Sequence, residues 1–361
     1  MLSFIYDMLP SRVIFGAGCL DKLPEEIDRL GATRALVLST PEQREQGADL
    51  VRRLGARAVG LFDRAVMHVP IEIAEAARDD ARRSGADCCV AVGGGSTTGL
   101  AKAIALVSDL PILAVPTTYA GSEMTPIWGL TESGLKKTGR DARVLPKTVL
   151  YDPTLTISMP AMLSATSGMN SIAHCVEALY AKDANPIISM MAEEGIRALA
   201  KSLPVVVKEP SNLVARSEAL YGAWLGGVSL GAVGMALHHK LCHTLGGSFN
   251  LPHAETHTAV LPHATAYNAP AAPEAMSRIA RALGASSAAE GLFDLATSLG
   301  APVSLAAIGM KAGDLDKAAG IAVQNPYYNP HPVTRDGIRA LLQHAFEGRR
   351  PQAQASAAPV R

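Results

Sequence analysis

The chain has 361 residues, of which 48% are hydrophobic, and its 33 basic residues are balanced by 33 acidic ones. This length suits two domains better than one. The balanced charge lacks the basic footprint of a protein that binds nucleic acid or an anionic membrane, so an enzyme acting on a small molecule fits better. The five cysteines form no CxxC pair, and the N-terminus lacks the features of a signal peptide. We therefore predict a reduced, cytoplasmic protein.

Short apolar runs alternate with amphipathic stretches along residues 35–151. This alternation is typical of a parallel sheet with crossover helices. The predicted strands are Ala35–Ser39, Ala58–Phe62, Cys88–Val92, Ile112–Val115 and Thr148–Tyr151. The predicted helices are Pro41–Leu54, Pro70–Ser84 and Thr97–Val107. The first two begin with proline and are followed by glycine, as helices often are.

A glycine-rich turn, Gly93–Ser96, follows the strand CCVAV and precedes a helix. Glycines let a backbone approach a pyrophosphate, and the N–H groups and dipole of the following helix stabilise its charge. Such turns also occur for steric reasons alone, but the next strand ends in the polar segment PTTYAGSE at the same sheet edge, where nucleotides bind in open α/β folds. The predicted cofactor-binding residues here are Gly93, Gly94, Gly95, Ser96, Thr97, Thr117 and Thr118.

Ser39 and Thr40 end an earlier strand at this edge and are predicted to contact the adenosine ribose. A carboxylate at this position would bind the 2′-hydroxyl of NAD and repel the 2′-phosphate of NADP. Because neither residue is acidic, we predict that both NADH and NADPH are accepted.

The rest of the chain changes character after one further β element. Residues 127–152 are predicted to form a β-hairpin with turns around Gly134 and Gly139, and from Pro160 to Glu347 the pattern is helical, with breaks at five prolines. Those prolines are Pro186, Pro204, Pro252, Pro302 and Pro330. We predict an α/β dinucleotide-binding domain at residues 1–153, an all-α catalytic domain at 154–348 and a disordered tail at 349–361.

Four histidines fall where helices could bring them together. Asn170 and His174 are four residues apart, as are His239 and His243, and each spacing returns to the same helix face. His253 follows in the same segment, HHKLCHTLGGSFNLPH. Imidazole suits metal ligation or proton transfer near neutral pH. Although a single histidine is more often structural, the joint spacing predicts a histidine-lined pocket.

These motifs together resemble the iron-containing alcohol dehydrogenase superfamily, which shares its fold with dehydroquinate synthase. The resemblance rests on GGGS followed by an AK pair, PTT…GSE, GMNSIAHCVEALY and H-x3-H-x9-H. It implies an active site in the cleft between the domains and a homodimer. In metal-dependent members an Asp and three His hold iron or zinc. The matching residues here are Asn170, His174, His239 and His253, and a proton-transfer histidine matches His243.

Asn170 departs from that pattern, because it replaces the anionic ligand with a neutral amide. GMN, the loop GGGSTTGLAK and the short PTTYAGSE turn resemble the maleylacetate reductases within the superfamily. That resemblance implies reduction of the carbon–carbon double bond of maleylacetate to 3-oxoadipate, in the catabolism of aromatic compounds, without a metal. We therefore expect no metal, and a small dicarboxylate substrate that raises nearby histidine pKa values toward the protonated form.

The expected roles follow from this chemistry. His243 is predicted to donate the proton, with His174, His239 and His253 lining the pocket and stabilising the enolate oxygen. Asn170, Tyr119, Tyr327 and Tyr328 are the candidate substrate contacts. His238 is interpreted as structural, and His257 and His263 receive no role.

Two other enzyme classes remain open. A metal-dependent alcohol or polyol dehydrogenase would bind zinc or iron through the histidines without the Asp. A lyase similar to dehydroquinate synthase would need several basic residues around a phosphate-bearing substrate, and the helical half supplies few near the histidines. A non-catalytic dinucleotide sensor would not require the cluster.

Overall fold

The first half of the chain folds around a six-stranded parallel sheet in strand order β1-β8-β5-β4-β2-β3. The computed structural model describes residues 4–9, 11–132 and 135–352. The strands are β1 Arg12–Phe15, β2 Ala35–Leu38, β3 Ala58–Phe62, β4 Cys88–Gly93, β5 Ile112–Pro116, β6 Ile127–Glu132, β7 Leu135–Arg140 and β8 Thr148–Tyr151. β6 and β7 form a separate antiparallel hairpin.

The helices divide between the two halves. Those of the first half are α1 Leu23–Arg29, α2 Arg44–Leu54, α3 Ile71–Ser84 and α4 Gly95–Ser108. Those of the second half are α5 Ala161–Ala178, α6 Pro186–Lys208, α7 Leu213–Ala232, α8 Leu237–Phe249, α9 His253–Asn268, α10 Pro273–Leu283, α11 Ala288–Ser298, α12 Leu315–Ala322 and α13 Arg335–Glu347. The predicted fold class, an α/β half followed by an all-α half, is confirmed.

Both faces of the parallel sheet are covered, which explains why its strands are apolar runs rather than alternating patterns. Val37 and Val90 face a core shared with α1 and α2. Leu36 and Ala91 face a second core shared with α3 and α4. A third apolar cluster joins sheet residues such as Tyr151 to the helical half. The two halves therefore pack directly against each other.

The five predicted strands and three predicted helices are present within a few residues of their expected bounds. Two short elements, β1 and α1, were not predicted. Gly139 is not a turn residue: it lies in β7, where a Cβ would come within 2.7 Å of the Trp128 ring. Gly134 lies outside the described residues. The predicted helix break at Pro204 is absent, because this proline lies inside α6, which continues to Lys208.

The start of the predicted tail is ordered. Arg350 donates to both carboxylate oxygens of Asp294 at 2.8 and 2.7 Å, and Pro351 is buried. Residues 353–361 lie outside the described residues. The predicted domain boundary after residue 153 falls in the connection from β8 to α5 and stays a prediction. Among the described helices, no single one is long and apolar enough to cross a membrane. Of these helices, only α7 and α8 taken together, with a bend of 94° between them, have the required length and composition.

Candidate active site

The carboxyl edge of the sheet carries the predicted cofactor residues. From β2 the chain runs outward to β3 and then crosses back to β4, so the strand order reverses between β2 and β4. Ligands of open α/β folds bind at such a crevice. The glycine-rich turn follows β4, Ser39 and Thr40 follow β2, and Thr117 and Thr118 follow β5. The topology thus brings all the predicted cofactor residues to one edge.

The glycines of the turn are required by its geometry. Gly93 has φ +147°, and a Cβ there would lie 2.4 Å from Thr97 Oγ1. A Cβ on Gly94 would lie 2.9 Å from Thr118 Oγ1. α4 begins at Gly95, so its first N–H groups face this edge. Side chains on Gly93 or Gly94 would therefore distort the turn at the start of α4.

One residue at this edge was not predicted. Gln43 donates from Nε2 to Thr117 Oγ1 at 2.6 Å, and its Oε1 would be 2.6 Å from a Cβ on Gly93. It therefore joins the turn after β4 to the turn after β5. Ser39 is fully buried beneath α2, with its Oγ close to Gly47, so its side chain supports the edge from below.

The predicted histidines meet between three helices of the second half. The ring centroids of His174 on α5 and His239 on α8 are 5.2 Å apart, and that of His243 is 6.1 Å from His239. His253 begins α9, and its ring is 4.4 Å from that of His257. Asn170 and His174 are buried on α5, as their spacing predicted. The structure therefore places the predicted cluster in one site.

A buried carboxylate orients this cluster. Glu177 is fully buried and accepts hydrogen bonds from His239 Nδ1 at 2.7 Å and from the backbone N–H groups of Ala236 and His238 at 2.7 and 2.6 Å. Because a carboxylate only accepts, His239 Nδ1 donates and its Nε2 keeps a free lone pair. Glu177 was not among the predicted site residues, although it lies three residues after His174 and so near the same helix face.

His257 was also missed, and His238 belongs to the same arrangement. His257 Nδ1 lies 2.9 Å from His238 Nε2, and the His257 ring is 4.9 Å from that of His239. The spacing of four from His253 could have identified His257. Within the described part of the chain, five buried polar atoms here have no hydrogen-bond partner: Asn170 Oδ1, His174 Nδ1, His238 Nδ1, His239 Nε2 and His257 Nε2.

Burial affects the protonation of three histidines of this site. Burial lowers the pKa of His174 well below its ordinary value, and the neighbouring imidazoles lower it further. Burial has the same effect on the pKa of His238 and His257. These three imidazoles therefore favour the neutral form, because the burial cost of charge dominates. Neutral imidazole is the form that ligates metal ions.

His243 and two of the tyrosines lie toward the surface. His243 is exposed, and its Nδ1 is 3.1 Å from the hydroxyl of Tyr327, which is 40% exposed, while Tyr328 is 47% exposed. Tyr119, in contrast, is fully buried, and its hydroxyl accepts a hydrogen bond of 3.4 Å from Arg216. This position favours a structural role for Tyr119 over the predicted contact with substrate.

A buried lysine connects the cofactor edge to the histidines. Lys102 on α4 is fully buried, and its ammonium lies within 3.2 Å of five oxygen atoms of Ser122, Thr125 and Ile127. Burial lowers the pKa of Lys102 to about 7. The segment that it holds begins beside Gly121, where a Cβ would lie 3.0 Å from Gly227 and 3.3 Å from His174 Nδ1. α4 therefore fixes the loop that packs against the cluster.

A separate cavity of about 550 Å³ lies beside α2. None of the residues that line it within the described chain is a histidine. Its Asp21 and Asp49 are paired with Arg53, which also lines the cavity. The cavity therefore lacks the imidazoles that the histidine site offers for proton transfer.

Buried His263 predicts a loss of stability in acid. Burial lowers its pKa to about 4, whereas an unfolded histidine titrates near pH 6.5. Between these values the unfolded chain binds the extra proton, so the free energy of unfolding should fall by about 1.4 kcal/mol per pH unit as pH decreases. Urea unfolding of the wild type and His263→Gln at pH 7.5 and 5 measures this. An identical pH dependence in both proteins would contradict the assignment.

Known proteins share this architecture and sequence over almost their whole length. The chain is 63% identical to a maleylacetate reductase from Burkholderia cepacia, over 97% of this chain and 100% of the relative. It is 60% identical to one from Sphingobium indicum, over 97% and 99%. The crystal structure of maleylacetate reductase from Agrobacterium tumefaciens matches with a TM-score of 0.95 and 55% identity, covering 97% of this chain and 100% of that one.

Two family profiles correct the expectation about metal. The profile described as Iron-containing alcohol dehydrogenase matches residues 10–153, and that described as Fe-containing alcohol dehydrogenase family, C-terminal, matches residues 164–346. The expectation of no metal is wrong, because this family implies bound iron besides the nucleotide. The unpartnered Asn170 Oδ1 and His239 Nε2, beside neutral His174, are donors that suit such an ion. The chain belongs to the iron-containing alcohol dehydrogenase family.

Proposed function

We propose that this enzyme reduces the carbon–carbon double bond of maleylacetate to 3-oxoadipate with NADH or NADPH, in the catabolism of aromatic compounds. The observation that carries this proposal is the identity of 63% to a maleylacetate reductase across nearly both whole chains. Two chains that are this similar over their full length are expected to share most of their active-site residues. The histidine cluster beside a dinucleotide edge supplies the required parts.

The reaction needs a hydride, a proton and stabilisation of an oxyanion. Hydride from the reduced nicotinamide adds to the alkene carbon β to the ketone, and the electron pair moves to the ketone oxygen as an enolate. His243, exposed at the edge of the cluster, then donates a proton to the carbon that lies between the β carbon and the carbonyl carbon. The products are oxidised nicotinamide and 3-oxoadipate, so atoms and electrons balance.

The buried part of the site faces the ketone oxygen in this proposal. Asn170, His174, His239 and His253 would hold a divalent metal ion, which when bound supplies a Lewis acid that polarises a carbonyl oxygen. Glu177 accepts a hydrogen bond from His239 Nδ1, so the lone pair of His239 Nε2 remains available to the metal ion. Burial of Asn170 and His174 excludes bulk water, which strengthens these interactions.

The test compares substrates on one enzyme. NADH oxidation is monitored with maleylacetate, with simple aldehydes and with polyols in the reverse direction, and the product of the first reaction is identified as 3-oxoadipate. We expect turnover with maleylacetate to exceed that with the other substrates. Preferred turnover of an aldehyde or polyol would instead identify an alcohol dehydrogenase.

The dual use of NADH and NADPH is supported by the uncharged side chains of Ser39 and Thr40, the two residues that follow β2. The nearby carboxylate of Glu42 accepts a hydrogen bond from the Thr40 side chain, and Arg44 and Asp63 form an ion pair of 3.1 Å. Thr40→Asp should therefore lower kcat/KM with NADPH at least about tenfold relative to NADH, because a carboxylate binds the 2′-hydroxyl and repels the 2′-phosphate. Thr40→Val, which adds no charge, is the control. An unchanged preference in Thr40→Asp would place the ribose elsewhere.

We also place the enzyme in the cytoplasm, as a homodimer. The five cysteines are buried free thiols, which suits a reducing compartment. The dimer rests on the family resemblance, and its mass in solution, measured by light scattering, tests it.

A further inference from the structure

The mouth of the histidine site contains a lysine to which no role has been given. Lys240 follows His239 on α8 and precedes His243 by three residues, so Lys240 and His243 share one side of the helix. The Lys240 ammonium lies 5.7 Å from the centre of the Tyr327 ring. Tyr327 in turn contacts His243 through its hydroxyl. Lys240, His243 and Tyr327 therefore form one group, called here the mouth triad.

The charge of Lys240 is not neutralised by the protein. Most of the ion pairs in the structure join an arginine to a carboxylate, yet no ion pair to Lys240 occurs within the described part of the chain. Glu177, which binds the preceding residue His239, is fully buried and already accepts three hydrogen bonds. Lys240 is half-buried, so its ammonium is only partly screened by water.

The proposed substrate supplies the missing charge. Maleylacetate carries two carboxylates, and the Lys240 ammonium is a cation beside Tyr327, which contacts His243. A flexible ammonium beside the proton donor can reach a carboxylate without fixing a single geometry. We propose that Lys240 binds a carboxylate of the substrate and thereby gives the enzyme its preference for a dicarboxylate over an uncharged carbonyl compound. This inference rests on the proposed function.

The test separates binding from chemistry. Lys240→Met keeps the length and apolar stem of the side chain but removes the charge, so the KM for maleylacetate should rise about tenfold or more while kcat changes little. Lys240→Arg should restore most of the affinity. The wild-type kcat/KM should fall as salt is added, and this dependence should weaken in Lys240→Met.

A second lysine offers a matched control. Lys317 on α12 lies 5.8 Å from the ring of Phe249, so Lys317→Met removes the same kind of cation–π contact away from the mouth triad. We expect it to leave KM unchanged. Equal effects of the two variants, or a fall in kcat at constant KM in Lys240→Met, would overturn the proposal.

An independent binding measurement distinguishes the two proposals. Adipate, a six-carbon dianion, is titrated calorimetrically into the wild type and Lys240→Met, with NADH bound. Weaker binding by the variant supports the role of Lys240, and equal binding overturns it. A wild-type enzyme that binds adipate but does not oxidise NADH with maleylacetate overturns the proposed function alone.

Discussion

His243→Asn is expected to lower kcat by about 10²–10⁴-fold, the usual contribution of a positioned general acid. His243 lies one turn beyond buried His239, is exposed, and contacts Tyr327. It can therefore exchange protons with water between turnovers, which the buried histidines cannot. NADH affinity should stay unchanged, because the predicted cofactor-binding residues lie on the other half of the molecule. Stopped-flow turnover and NADH titration measure the two quantities.

The control for this variant is His344→Asn, which changes another exposed helical histidine on α13. The wild-type rate should decrease as pH rises through the range where histidines titrate, and this decrease should disappear in His243→Asn. If His243→Asn retains near-normal kcat, the proton donor is His253 or a tyrosine, and His243 only contacts substrate.

Glu177→Gln is expected to weaken binding of a divalent metal by about 10–100-fold, the usual effect of losing a carboxylate that orients a ligating histidine. The amide keeps the size of the side chain but offers one acceptor oxygen to three donors. A buried N–H left unpaired costs about 1–3 kcal/mol, so the free energy of unfolding should also decrease. Competition with a chelator and urea unfolding measure these effects.

Glu218→Gln provides the control for Glu177→Gln, because Glu218 is partly exposed and pairs with Arg197 at the surface. It should change neither metal affinity nor activity. Undiminished metal binding by Glu177→Gln would show that the orientation of His239 does not depend on this carboxylate.

Local patterns predicted the parts of the fold that depend on neighbours in sequence. Apolar runs between prolines and glycines located β2, β4 and β5, and the spacing of four placed Asn170 with His174. β1 was missed because its four residues carry too little pattern, and it exists through pairing with distant β8. Gly139 was predicted as a turn residue because glycine is common in turns. The reason for glycine here is the Trp128 ring, which comes from the opposite strand and leaves no room for a Cβ.

The site followed the same division. The histidine cluster was predictable because each helix carries its own spacing signal. Glu177 was not, since its role depends on capping the start of α8 from another helix. Gln43 has no signal of its own and acts only because β2, β4 and β5 end together. Tyr119 was expected to contact the substrate. Its burial beneath Arg216 arises from packing between the two halves, which the sequence pattern does not show.

The ammonium of Lys102 resembles a potassium ion in a cage of oxygen atoms, with the difference that it is covalently attached to the chain. Such an ion cannot be dialysed away, and chelators do not remove it. The loop beside His174 should therefore keep its shape when the divalent metal is lost. An enzyme stripped of metal would then retain a preformed site. Binding the metal again would require no refolding where the two halves pack together.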